Sequence, residues 1–395
     1  MTPAFRFRES PEDFIVEELA AGPLPADPAG THLWFTVEKR GVSTPEAARR
    51  IAEALGRDAG HVSFAGRKDA KAVTRQTMCI EHVTPDALLA VDLERIRIKD
   101  PVRCRTKLRV GQLGGNRFHL RLTGLDGPEA RDQLAERLEI LARSGVPNAY
   151  GEQRFGPSGD SWRVGHALVK GTPMEYLERV VADGAPGTRE AGEELLRRIR
   201  EGSGSERRRA LELKAALAPD LRPVARFLAR RRPEDPVQLV RAVPQRARAF
   251  HLAMLQARIF NRVLEVRRAV ENESTVLVGD VVLAADGRHR VVLEADPPEA
   301  REGLVPTGPL WAATGLHAAG EPGRIELAAL REEGLELEDL RSPGGLRPRG
   351  ARRPLVVALS DLEVDAFEDG AAWIRFGLPV GSFATVVLAA IGSGA

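Results

Sequence analysis

Apolar and polar positions alternate, then turn helical, through the first 150 residues. Residues 5–19 mix Phe, Ile and Val with charges, and THLWFTVEKR (31–40) reads as a half-buried strand. STPEAARRIAEALG (43–56) begins a helix, with Thr44 as a cap, Pro45 at its first position and Gly56 as its stop. Further strands are predicted over 73–81 and 117–122, the latter with Phe118, Leu120 and Leu122 on one face. A helix follows over 127–144, ending at Gly145.

The texture changes after Gly156. Several helical segments run to about residue 345, and the clearest is 247–268, where Phe250, Leu252, Leu255, Ile259 and Leu264 fall on helical spacing. That face is assigned to core packing. RSPGGLRPRGARR (341–353) reads as a loop or linker. Strand-like patterns return in VVALSDLEVDAF and AAWIRFGLPVG. A sheet-rich start, a helical middle and a sheet-like end predict one domain inserted into another, and no internal repeat is visible.

Composition narrows the class. The 395 residues are 43% hydrophobic and 29% charged, as in globular proteins. With 58 Lys or Arg against 56 Asp or Glu, a uniformly basic coat is excluded but local patches are not. One such patch is 195–250, with 15 basic residues against 6 acidic, and 321–340 is its opposite, with 7 acidic against 2 basic. The basic stretch reads either as a solvated helical face or as a footprint for phosphates. Two cysteines, Cys79 and Cys104, exclude a disulfide framework or a cysteine-rich zinc site. No apolar run reaches the ~18 to 20 residues of a membrane helix, and the charged N-terminus is unlike a signal peptide. A cytoplasmic protein is expected.

Common catalytic motifs are missing. There is no phosphate loop, no GxGxxG after a strand, no HExxH, and GPSGDSW (156–162) is not a hydrolase elbow. Neither a metal nor a cofactor is expected. Gly114-Gly115 reads as a turn into a strand. What remains is FAGRKDAKAVTRQ (64–76), which sets Asp69 among Arg67, Lys68, Lys71 and Arg75. Close cations favour an ionised carboxylate and can also receive phosphates. Such a carboxylate can act as a nucleophile. On charge pattern alone the segment reads first as a solvated turn with weak surface ion pairs.

The motifs change that balance. GRKDAKAVTRQ (66–76) resembles the catalytic motif of the TruD family of tRNA pseudouridine synthases. SPEDFIVEE (10–18), GGNRFHLRL (114–122), GVPNAYGEQRFG (145–156), RIFNRVLEVR (258–267), RRPL (352–355) and IRFGLPVGSFATVVL (374–388) resemble further family blocks in the same order. The resemblance runs from about residue 6 to 388 and is thinnest over 170–245. Two departures stand out: Ala149-Tyr150 where the family has Tyr-Phe, and Arg8 where a lysine is usual.

The resemblance implies an α+β pseudouridine synthase fold, a mostly antiparallel sheet flanked by helices and interrupted by an inserted α+β domain. The catalytic domain would be 1–156 plus 346–395, and the insert 157–345. It implies an isomerase that modifies tRNA, at uridine 13, with Asp69 as nucleophile or base on a flipped-out nucleotide. Lys68 and Arg8 would keep Asp69 ionised and steer phosphates. Phe118 would lie under the nucleotide, Phe14 and Phe383 would form pocket walls, and Asn116 would read the uracil edge or the sugar. Gln153 and Arg154 are expected to be structural. The basic stretch of the insert would clamp the tRNA and make binding weaken steeply with salt. No protein partner or membrane is implied, and a monomer is expected. Two alternatives remain at this level: an RNA-binding module that has lost activity, and a synthase acting on another RNA.

Overall fold

A computed structural model of the chain describes residues 5–270, 272–365, 367 and 370–392. Its contacts separate two compact units, Met1–Asn148 with Val357–Ala395, and Ala149–Val356.

The first unit is built on an eight-stranded sheet. Its leading elements are β1 (Phe14–Leu19), β2 (His32–Arg40), α1 (Thr44–Ala54), β3 (Ser63–Phe64), β4 (Val73–Glu81), α2 (Pro85–Leu89), β5 (Ile96–Cys104), β6 (Gly115–Thr123) and α3 (Gly127–Ser144). The chain returns at its end with strands Ser360–Val364 and Ala371–Leu378 and helix Ala384–Ile391. Across the sheet the order is 360–364, 371–378, β6, β1, β4, β2, β5, with β3 also on β4. Every pairing is antiparallel except β1 with β4.

One face of this sheet carries the helices, because alternation puts the apolar residues of each strand there. Register joins Lys39, Thr74, Val16, Phe118 and Phe376 into one row across five strands. At one end of that face Leu33, Phe35, Val37, Met78 and Ile80 bury against Ala47, Ala48 and Ile51 of α1. At the other, Phe14, Val16, Phe118, Leu120 and Phe376 bury against Leu134, Leu138 and Leu141 of α3 and Val387 and Leu388 of the last helix. Between these two apolar blocks the same face turns polar, with Lys39, Thr74 and Gln76 all buried.

Three local expectations are corrected. Ser43, not Thr44, caps α1: its backbone is extended and its hydroxyl accepts from the Glu46 amide. Thr44 is the first helical residue and points inward. Gly114-Gly115 is more than a turn: Gly115 already pairs with Leu19 in β6. A Cβ on Gly114 would stand 2.5 Å from the Ala20 carbonyl oxygen, and one on Gly115 2.4 Å from that of Leu378. Both are far inside contact distance, so this close strand approach requires glycine. The third correction concerns 341–353, where Ala351–Pro354 forms a strand antiparallel to Val305–Leu310. Arg352 is buried there, bonded to Glu326 and Thr307.

The second unit packs helices around the 26-residue Gln245–Val270, beside a four-stranded sheet. Leu252, Leu255, Ile259 and Leu264 are buried as the spacing requires. Phe250 is not: it is 51% exposed.

Candidate active site

The polar gap in the helix-covered face of the first unit contains the GRKD loop, which links β3 to β4. Asp69 is held there from three sides. Arg8 donates from Nη2 to Oδ2 at 2.6 Å, and the Lys71 amide donates to Oδ1 at 3.0 Å. The backbone carbonyl of Asp69 accepts from Lys39 Nζ at 3.1 Å. The carboxylate nevertheless stays reachable, with its side chain 31% exposed. An anchored, accessible carboxylate is what a group that attacks or deprotonates a substrate requires.

Arg8 connects Asp69 to the aromatic core. Its guanidinium lies 3.8 Å from the centre of the Phe14 ring, Phe14 meets Phe118 edge-on at 6.2 Å, and Phe118 stacks on Phe376 at 5.5 Å. Arg8 adopts φ +61, a region that side-chain-bearing residues rarely enter. The ion pair and the ring contact hold it there. Phe14 and Phe118 are both buried, within the apolar block that α3 and the last helix cover.

Lys68 faces away from its neighbour Asp69. Its Nζ lies 2.5 Å from Glu18 Oε2, with the two side chains only 4% and 3% exposed. The pair is satisfied on both sides: Glu18 Oε1 accepts from the Thr77 amide, and the Lys68 amide donates to Thr44 Oγ1. Thr44 in turn donates to Gln76 Oε1, and Gln76 Nε2 donates to the Gly66 carbonyl. Gly66 leaves room for the ammonium, since a Cβ there would stand 3.3 Å from Lys68 Nζ. Lys68, expected from sequence to meet phosphates, thus points into the unit and pins the loop from behind. Arg75 is also turned away from Asp69, pairing with Glu17 and Glu38, whereas Arg67 is exposed.

Asn116 stands opposite Glu18 in the β1–β6 register, so it shares the face of the buried pair. Its Oδ1 is buried and has no hydrogen-bond partner among the described residues. Phe383 is half-buried and immediately precedes the helix Ala384–Ile391. Beside it Ser382 donates to Asn148 Oδ1.

Two residues given no role by the sequence reading belong to this gap. Lys39 is buried, with Nζ bonded to the Val42 carbonyl at 2.6 Å as well as to that of Asp69. Burial pulls its pKa down from 10.5 to about 8, with the Asp69 charge opposing that shift and the Lys68 charge adding to it. Glu18 is the second. The signal was available for both: Lys39 continues the inward series Leu33, Phe35, Val37, and Glu18 continues Phe14, Val16. A charged residue on the apolar phase of a strand marks a buried polar contact.

Similarity to known proteins covers nearly the whole chain. The family described as tRNA pseudouridine synthase D (TruD) matches residues 4–391. A protein named tRNA pseudouridine synthase D from Geobacter metallireducens is 37% identical over 385 residues, covering 96% of this chain and 93% of its own. Its namesake from Geobacter sulfurreducens is 37% identical over 388 residues, covering 97% and 92%. Among solved structures, a crystal structure described as TruD from Methanosarcina mazei superposes with a TM-score of 0.75 at 25% identity, covering 99% of this chain and 94% of that one.

Proposed function

The chain belongs to the TruD family of tRNA pseudouridine synthases, and from that membership we propose that it converts uridine 13 of tRNA to pseudouridine with Asp69 carrying the chemistry. As a synthase of this family it is an isomerase of tRNA uridine. The bond from ribose to the uracil nitrogen breaks, the base turns, and a bond from ribose to carbon replaces it. No atom is gained or lost and nothing is oxidised.

The observation that supports Asp69 is its state in the site: anchored by Arg8, the Lys71 amide and Lys39, yet open to solvent. Asp69 serves as the nucleophile or base. Arg8 orients it and offers its positive charge to the nucleotide's phosphate. Asn116 supplies an unused acceptor for the uracil N–H. Phe14 and Phe118 floor the pocket and Phe383 contributes a wall. Lys68 acts one layer back, holding the loop through Glu18. The target uridine lies inside a folded RNA and must be extruded, at a cost of a few kcal/mol. The pocket's apolar floor and polar edge offset that cost.

The test is pseudouridine mapping on unmodified tRNA transcripts incubated with the wild type and with Asp69→Asn. Pseudouridine at position 13 with the wild type and none with the variant is expected. Modification by both would remove Asp69 from the chemistry, and modification elsewhere would remove the position.

A further inference from the structure

The helix Gln245–Val270 presents an aromatic ring to solvent where its spacing calls for core. Phe250 is the only aromatic residue among the large apolar side chains that are exposed in the described structure. It does not stand alone. The guanidinium of Arg154 lies 5.2 Å from its ring centre and 5.6 Å from that of Tyr150. A second guanidinium, that of Arg353, lies 4.2 Å from the centre of the Tyr150 ring. Arg246, one turn before Phe250 on the same helix, is exposed.

Two of these arginines, Arg154 and Arg246, have no acid paired with them among the described residues. Some arginines of this unit that face solvent are tied to acids, as Arg197 is to Glu194 and Arg200 is to Glu178. The exposed ring thus carries against it a guanidinium, that of Arg154, whose Nε is buried without a partner among the described residues. Together they match the two faces of a nucleotide: a flat base to stack and a phosphate to neutralise.

We propose that Phe250 and Arg154 form a nucleotide-binding subsite for the tRNA, in which an unpaired base stacks on Phe250 and the adjoining phosphate takes Arg154. The subsite rests on the reading of the chain as a tRNA-modifying enzyme and adds a contact outside the unit that carries Asp69. Its role is in affinity and not in the isomerisation itself.

The test measures equilibrium binding of an unmodified tRNA transcript to full-length protein in the Asp69→Asn background, together with single-turnover pseudouridine formation in the Asp69 background. Phe250→Ala should weaken binding by about 10-fold, in line with loss of one stacked base. Phe250→Trp should bind at least as tightly as wild type, and Phe250→Leu should resemble the alanine variant. The single-turnover rate at saturating enzyme should be the same for all. Arg154→Ala should weaken binding and lower the slope of log affinity against log salt by about one. Wild-type affinity in Phe250→Ala would overturn the subsite, and wild-type affinity in Phe250→Leu would overturn stacking. An unchanged salt slope in Arg154→Ala would overturn the phosphate contact. In each of those cases the wild type still makes pseudouridine; if it makes none on tRNA, the proposed function fails and the subsite fails with it.

Discussion

The ammonium of Lys39 stands 3.1 Å from the backbone carbonyl oxygen of Asp69. A buried cation on the neighbouring strand thus holds the main chain of the candidate catalytic residue, while its second bond, to Val42 at 2.6 Å, anchors it to the turn before α1. Asp69 and Lys68 are the charged groups that face it and act on its protonation.

This contact predicts a pH response. Lys39 loses its proton as pH rises through about 8, so the single-turnover rate should decline above that pH. Lys39→Met should be slower at pH 7 and lack the decline. Stability moves the other way. The folded-state pKa lies below the unfolded one, so between about 8 and 10.5 the unfolded chain holds the extra proton and the Lys39 contribution to stability rises with pH. The melting temperature of wild type relative to Lys39→Met should therefore increase over that interval, separating the lost rate from unfolding. A rate that stays flat to pH 10 would contradict the role.

Arg8 combines a charge with a flat surface, and the two can be separated. Arg8→Ala should lower kcat/KM by roughly 10²-fold through misplacement of Asp69. Arg8→Lys keeps the charge but loses the guanidinium contact over the Phe14 ring, and should recover only part. Steady-state kinetics on a tRNA transcript reads this directly; equal activity in all three proteins would rule out Arg8 as the positioning group.

The Glu18–Lys68 pair should dominate the stability of the site. Removing one partner leaves a buried charge without its counterpart, a loss of about 3–5 kcal/mol. Glu18→Leu and Lys68→Met should each show it in denaturant unfolding, and the double variant should lose less than the two single losses together.

Asn116 should behave in the opposite manner. Its Oδ1 gains nothing in the free enzyme, and deleting an unsatisfied buried acceptor is neutral or stabilising. Asn116→Ala should keep or raise the melting temperature while pseudouridine formation falls. Loss of stability in parallel with activity would mean that Asn116 is a structural residue.

Where local geometry governs, the chain could be read to the residue. β4 spans Val73–Glu81 and α3 spans Gly127–Ser144, as the alternation and the Gly145 stop indicate. The cap of α1 falls one residue before the expected Thr44, because Ser43 and Thr44 carry the same hydroxyl chemistry. Only the packing of α1 on the sheet decides which of them turns inward, where Thr44 meets Gln76 and the Lys68 amide. Phe250 fits the periodicity of its helix, but periodicity does not say how far along the helix the covering layer extends.

The sequence by itself determined the family, the strand and helix periods, and Asp69 as the carboxylate to watch, because these follow from motif chemistry and from backbone repeats a few residues long. Tertiary structure alone decided which cation meets which acid. Lys68 adjoins Asp69 in sequence but pairs with Glu18, 50 residues away, while Asp69 takes Arg8, 61 residues away. Those choices depend on the register of β1 against β4 and β6, and register is a property of strands brought together from distant parts of the chain.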